Sequence, residues 1–326
     1  MSNSNNSKVG CMLGIGSGLA WGLDAVIIGI ILAASLFSQN DNIIFLAPFV
    51  AAFLKDGLSA IYMSIINISR GNFKSVLKGF TTKSGLFIAI GALFGGPLGM
   101  TCYMFSMRYI GPAYTANISA VYPVIGAVLA FIFLKEKIGK NTWMGIGLSV
   151  LGVFVLGYSG VGSVNKGTFI IGVLFALGAV VGWASESVIC AYGMKDGIGP
   201  IEALNIRYII SAIVYGVIIV PILKGHFLTG EVFASNTIWL LVLSAFVATT
   251  SFIFYYKTIY LIGAAKGTAL NITYALWTIV FHTLILHTSI TSELIVGSVI
   301  ITLGTVLVIA KPSEIFNFKR NIQNDM

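Results

Sequence analysis

Gly182-Trp183-Ala184-Ser185-Glu186-Ser187-Val188-Ile189 sets a tryptophan and a carboxylate one helical turn apart, in the middle of an apolar run from about Gly167 to Met194. A carboxylate in hydrocarbon costs roughly 2.5–3.5 kcal/mol on insertion scales, so Glu186 reads first as a functional residue. The same pattern stands 162 positions earlier as Trp21-Gly22-Leu23-Asp24-Ala25-Val26-Ile27. That offset aligns Trp21 with Trp183, Asp24 with Glu186, and Val-Ile with Val-Ile. A Trp-x-x-acid repeated inside two apolar runs implies a duplicated membrane protein with its site between the halves.

The rest of the composition agrees. Of 326 residues, 57% are hydrophobic and 9% charged, against about 25% charged in an ordinary soluble domain. The expected fold class is therefore an all-α integral membrane protein. The net charge of +8 is no sign of a nucleic-acid partner, because basic residues in such a chain mark cytoplasmic loops. At about 20 apolar residues per crossing, ten transmembrane helices are expected. They run roughly over 11–34, 43–66, 85–107, 113–134, 142–159, 168–193, 199–223, 236–258, 267–287 and 293–311. With the N-terminus inside, 14 of the 19 Lys and Arg fall in cytoplasmic segments and three outside. That bias predicts a multi-pass plasma-membrane protein with both termini cytoplasmic.

A second register of the repeat, at an offset of 152, aligns Pro48 with Pro200, Lys55 with Arg207, and Ser59-Ala60-Ile61 with Ser211-Ala212-Ile213. It also aligns Tyr122 with Tyr274 and Leu151-Gly152 with Leu303-Gly304. The organisation that follows is a cytoplasmic tail 1–10, a five-helix repeat 11–160, a second five-helix repeat 161–311 and a cytoplasmic tail 312–326. Five is odd, so the second copy enters the membrane from the opposite side. Two inverted five-helix repeats are a plan of secondary transporters, with the site at the repeat interface near the bilayer midplane. Gly91, Gly95, Gly96 and Gly99, and Gly145, Gly147 and Gly152, are expected to let helix backbones approach. Pro97 is expected to bend the third span.

Enzyme and cofactor readings find little support. No glycine run has the strand-before, helix-after setting of a nucleotide loop, and there is no His-Glu-x-x-His. His282 and His287 lack a neighbouring carboxylate cluster and are read as helix-surface or end residues, not metal ligands. Cys11, Cys102 and Cys190 are read as small buried residues. A five-plus-five repeat suits rocking halves better than a fixed channel.

The turn Leu134-Lys135-Glu136-Lys137, preceded by Tyr122-Pro123 and followed by a glycine-rich helix through Gly152, resembles the EamA-like branch of the drug/metabolite transporter superfamily. A narrower resemblance is to the bacterial Lic-type choline permeases. It is carried by Gly96-Pro97-Leu98-Gly99-Met100, Ser119-Ala120-Val121-Tyr122-Pro123, Trp183-Ala184-Ser185-Glu186-Ser187-Val188, Ile201-Glu202-Ala203-Leu204-Asn205-Ile206-Arg207 and Asn271-Ile272-Thr273-Tyr274-Ala275-Leu276-Trp277-Thr278. The resemblance implies import of choline or a similar small quaternary ammonium. Asp24 departs from the pattern, which asks for no acid there, and leaves a different or larger cation open.

A quaternary ammonium carries full charge but no hydrogen to donate, so aromatic faces and a carboxylate are what can hold it. Trp21, Tyr122, Trp183, Tyr255, Tyr274 and Trp277 are the candidate cage, with Tyr256 and Tyr103 as further candidates and Glu186 as counter-charge. Asp24, Asp56 and Arg207 are candidate proton or ion-pair residues. Lys55 and Asp56 are expected to neutralise each other, and Arg207 to pair with Glu202 or Asp56; Glu186 as a partner of Arg207 is the structural alternative. A coupled proton on Glu186 or Asp24 stays open. So does transport, in either direction, of another solute such as an amino acid, a nucleoside or a different organic cation.

Overall fold

Helix starts and stops follow ordinary local rules. In the computed structural model, the described residues are 2–134, 139–159, 165–194, 198–262 and 264–309. The expected Lys135-Glu136-Lys137 turn and the tail 312–326 lie outside them. Helix α1 spans Ser2–Ala33, ahead of its expected start, and a 3-10 turn follows at Ser35–Phe37. Helix α2 (Asp41–Ser69) opens on Asn40, whose side chain accepts from the Ile43 N–H at 3.0 Å, satisfying a donor the helix itself cannot. It ends at Gly71, whose φ of 71° is open to glycine and strained for most other residues.

Two short helices lie in loops where none was expected: α3 (Phe73–Gly79), carrying Lys74 and Lys78, and a counterpart described below. Helix α4 (Lys83–Leu93), capped by Thr82, runs into a π-helical segment at Phe94–Met100 and on into α5 (Thr101–Ser119). Pro97 sits in that π-segment, where bulges are frequently functional. Within α5, Gly111 at φ 76°, ψ 166° breaks the helix just before Pro112.

Helix α6 (Tyr122–Leu134) follows after a break at Ala120-Val121, then α7 (Lys140–Ser159) and α8 (Lys166–Gly193). Helix α9 (Pro200–Ile213) continues through a second π-segment, Val214–Ile219, into α10 (Val220–Ile222). The second short loop helix is α11 (His226–Phe233). Then come α12 (Thr237–Ile262), α13 (Ala264–Asn271), α14 (Tyr274–Leu286) and α15 (Ser292–Ile309).

Among the described residues the regular secondary structure is all helical, and six runs are long and apolar enough to cross a membrane: Lys8–Ala33, Asp41–Ser69, Lys83–Ser119, Lys166–Cys190, Pro200–Ile222 and Thr237–Thr258. Lys140–Leu156, Tyr274–Leu286 and Ser292–Val308 are shorter apolar helices. This is a multi-pass membrane protein. Two expected spans, 113–134 and 267–287, are not single helices: the first breaks at Ala120-Val121 and the second at Ile272-Thr273. Both interruptions lie directly before the matched tyrosines, Tyr122 and Tyr274.

The packing is set by small residues. Helix α1 lies on α12 and α14, and α8 on α4, α5 and α6. Helix α2 lies on α9 and α12, α4 on α9, and α7 on α15. In the last pair a Cβ at Gly145 would stand 2.6 Å from the Gly304 carbonyl, while Gly147 faces open space. Of the glycines expected to allow close approach in this region, Gly145 and Gly152 do so and Gly147 does not. Polar side chains tie helices where lipid offers no partner: Ser17 and Ser251 exchange hydroxyl-to-carbonyl bonds of 2.9 and 2.8 Å, and Asn271 donates to Ser17 Oγ at 2.7 Å.

Candidate functional site

Two ion-pair groups and one aromatic cluster meet at the centre of the helix packing. The first group joins α1, α2 and α12. Asp24 Oδ2 accepts from the Lys55 ammonium, and its other oxygen accepts from Ser244 at 2.5 Å. Both charged side chains are almost wholly buried, at 1% and 2% exposure. The Lys55 ammonium also stands 5.3 Å from the Trp21 ring centroid, a cation–π contact within the chain.

The second group joins α2, α8 and α9. Arg207 Nε donates to Glu186 Oε1 at 2.8 Å and Nη1 to Asp56 Oδ2 at 3.3 Å, while Ser211 donates to the same Asp56 oxygen at 2.5 Å. The Asp56 Oδ1 has no hydrogen-bond partner among the described residues. Glu186 is the most accessible of these five charges, at 17%.

These pairs correct one expectation. Lys55 and Asp56 do not neutralise each other: successive helix residues point about 100° apart, so Lys55 turns to α1 and Asp56 to α9. Arg207 takes Asp56, one of its two expected partners, and also Glu186, the pairing given as the structural alternative for that acid; Glu202 sits in the first turn of α9. Counted at formal charge, Asp24, Asp56 and Glu186 oppose Lys55 and Arg207. Among these five described side chains, one formal negative charge is left over.

Beside this surplus lies the aromatic cluster. Trp21 meets Trp183 edge-on at 5.9 Å, Phe252 at 5.3 Å, and Tyr103 and Tyr274 at 6.4 Å each. Trp183 in turn meets Tyr103 at 4.8 Å and Tyr122 at 6.5 Å. The Tyr274 hydroxyl is hydrogen-bonded to Ser119 at 3.0 Å. Four of the candidate cage residues, Trp21, Tyr122, Trp183 and Tyr274, thus come together.

Tyr255 lies at the edge, its hydroxyl bonded to Thr268 at 2.8 Å and its ring beside Tyr256. Trp277 packs its Cβ against Gly22, next to Trp21, and its ring stands 6.4 Å from that of Phe281. Tyr103, one of the further candidates, joins the cluster, and it matches Tyr255 at the 152-residue offset. Phe252 was missed.

The π-segment Phe94–Met100 forms the wall behind Trp183 and Glu186. The Trp183 indole donates to the Gly95 carbonyl at 3.2 Å, and the Tyr215 hydroxyl donates to that of Gly96 at 3.0 Å. Tyr215 belongs to the second π-segment, so the two bulges are latched to each other, and Thr101 joins the latch at 2.6 Å. Gly182 lets α8 settle on this wall: a Cβ there would lie 2.6 Å from the Phe94 carbonyl.

The ion-paired, aromatic cluster thus lies between the helices of a multi-pass membrane protein, and comparison with known proteins gives the family. The EamA-like transporter family matches residues 8–158 and again 170–310, and the chain belongs to that family, whose members are transporters. It is 32% identical over 191 residues to the protein LicB of Haemophilus influenzae, an alignment covering 59% of this chain and 64% of LicB. It is 29% identical over 140 residues to the uncharacterised transporter YetK of Bacillus subtilis, covering 41% and 42% of the two chains. It is 26% identical over 142 residues to the uncharacterised inner membrane transporter YedA of Escherichia coli, covering 43% and 45%. The chain therefore aligns with less than two thirds of the length of each of these relatives. A solved crystal structure shares the fold, with a TM-score of 0.61 at 16% identity over 94% of this chain and 96% of the other.

Proposed function

We propose that the protein is a secondary transporter that imports choline or a similar small quaternary ammonium by alternating access. Ten helices in two inverted five-helix repeats would carry it, in the plasma membrane, with both termini cytoplasmic. The observation that carries this reading is the surplus negative charge beside the Trp21–Trp183 cluster. A monovalent cation settling there neutralises the interior and finds aromatic faces, each worth about 0.5–2 kcal/mol depending on desolvation. The face of Trp21 is already met by Lys55, so Trp183, Tyr122 and Glu186 are the primary contacts. The Lic-type motifs point to the same chemistry.

Two observations support the inverted repeat. The packing pairs interchange when the halves are exchanged: α1 with α12 becomes α8 with α4, α1 with α14 becomes α8 with α6, and α2 with α12 becomes α9 with α4. The pairs α2–α9 and α7–α15 map onto themselves. Matched site residues are also unequally buried. Trp21, Asp24, Tyr103 and Tyr274 are buried, whereas Trp183, Glu186, Tyr255 and Tyr122 are half-buried. Such inequality is expected of one state of an alternating pair, in which exchanging the roles of the halves gives the other. The same acids, Glu186 and Asp24, offer carriers for a coupled proton.

A second reading has its own support. The Arg207–Glu186 pair, on opening, would present one charge of each sign to a zwitterion such as an amino acid. Thermal stability of the purified protein against choline, betaine, carnitine, amino acids and nucleosides separates the two. A ligand at 100 times its dissociation constant stabilises by about 2.7 kcal/mol. Stabilisation by choline that disappears in Trp183→Ala is the expected result; stabilisation by neutral or zwitterionic solutes alone would move the protein to the second reading.

A further inference from the structure

The Glu186 carboxylate rests on bare backbone. A Cβ built on Gly95 would fall 1.7 Å from Glu186 Oε2 and 2.0 Å from its carboxyl carbon. The other carboxylate oxygen is held by Arg207 at 2.8 Å. Gly95 also accepts the Trp183 indole N–H, so one residue touches both the counter-charge and the central ring of the site. The wall cannot easily retreat, because the next carbonyl is held by Tyr215.

We infer that Gly95 is the specificity-determining residue of the site, setting the size of the cationic head group it accepts. This rests on the cation-transport reading. Glutamate reaches far enough to touch the wall, and only a residue without a side chain lets its carboxylate lie back there and leave room in front. A methyl group at position 95 would overlap the whole carboxylate, its Arg207-held oxygen included, and not backbone. The carboxylate then has to leave the wall for the head-group side. Shortening the acid has the opposite effect.

The test is a set of binding measurements on the purified full chain with ethanolamine, choline and triethylcholine. One methylene in a pocket is worth about 10-fold or more in discrimination. Gly95→Ala is expected to shift the affinity ratio at least about tenfold towards ethanolamine over choline. Glu186→Asp is expected to shift it towards triethylcholine. The double variant is expected to return to within about threefold of the wild-type ratios, since the two volume changes offset each other.

Equal loss of affinity for all three amines, with unchanged ratios, would overturn the inference, as would unchanged affinities in both single variants. If Gly95→Ala does not fold, Glu186→Asp decides alone: a shift towards the larger amine supports the size gauge and an unchanged ratio refutes it. A wild-type protein that binds none of the three refutes the transport reading itself, which is a separate result.

Discussion

Replacing Lys55 by methionine isolates the energetics of the buried charges. The substitution keeps most of the side chain's length and removes its ammonium, leaving Asp24 with the Ser244 hydroxyl as its side-chain donor among the described residues. Asp24 is 1% exposed and Lys55 was 2% exposed, so water cannot replace the lost partner. Breaking a buried pair from one side typically costs about 3–5 kcal/mol. For a chain of this size each kcal/mol lowers the melting temperature by roughly 2 °C. The expected fall for Lys55→Met is therefore roughly 6–10 °C in substrate-free detergent solution, read by intrinsic fluorescence. Removing both charges leaves no buried ion, so Asp24→Asn with Lys55→Met should recover most of the loss. A Lys55→Met protein that melts within about 2 °C of wild type would contradict the pairing. A double variant as unstable as the single one would show that Asp24 is held by something other than charge.

Two further substitutions test the packing. Tyr215→Phe removes the hydroxyl that bonds Thr101 and the Gly96 carbonyl; a loss of about 1–3 kcal/mol is expected, and an unchanged melting temperature would mean that the two π-segments are not latched there. Gly145→Ala places a methyl group 2.6 Å from the Gly304 carbonyl and 2.8 Å from the Val308 nitrogen, so it should destabilise by about 1–3 kcal/mol. Gly147→Ala, which meets nothing within 4 Å, should stay within about 0.5 kcal/mol of wild type. Equal melting temperatures for these two variants would refute the α7–α15 contact.

The site was legible where helical spacing alone decides it. Trp183 and Glu186 share one face because they stand three residues apart, and the duplicate at Trp21 and Asp24 lands opposite. The ion pairs were not legible, because neighbours in sequence point to different helices: Lys55 and Asp56 part company, and each finds a charge more than 30 residues away. The bend at Pro97 could be read from the proline, although not that it becomes a π-segment. The matching distortion at Val214–Ile219 carries no proline of its own, and its trace is Pro221, two residues on, which frees the Val217 carbonyl. The breaks before Tyr122 and Tyr274 fall inside apolar runs that read as continuous spans, and only Pro123, present in one copy, hinted at them. Phe252 entered the cluster unannounced because an apolar ring in an apolar helix has no polar signature.

Uptake into proteoliposomes under an imposed potential tests the transport reading most directly. A monovalent cation gains about 2.3 kcal/mol per 100 mV of inside-negative potential, close to a fiftyfold gradient. Radiolabelled choline should accumulate towards that ratio in wild-type vesicles, collapse when the potential is dissipated, and fail to concentrate with Glu186→Gln. Accumulation that ignores the potential, or that survives unchanged in Glu186→Gln, would contradict a cation carried against the Glu186 carboxylate.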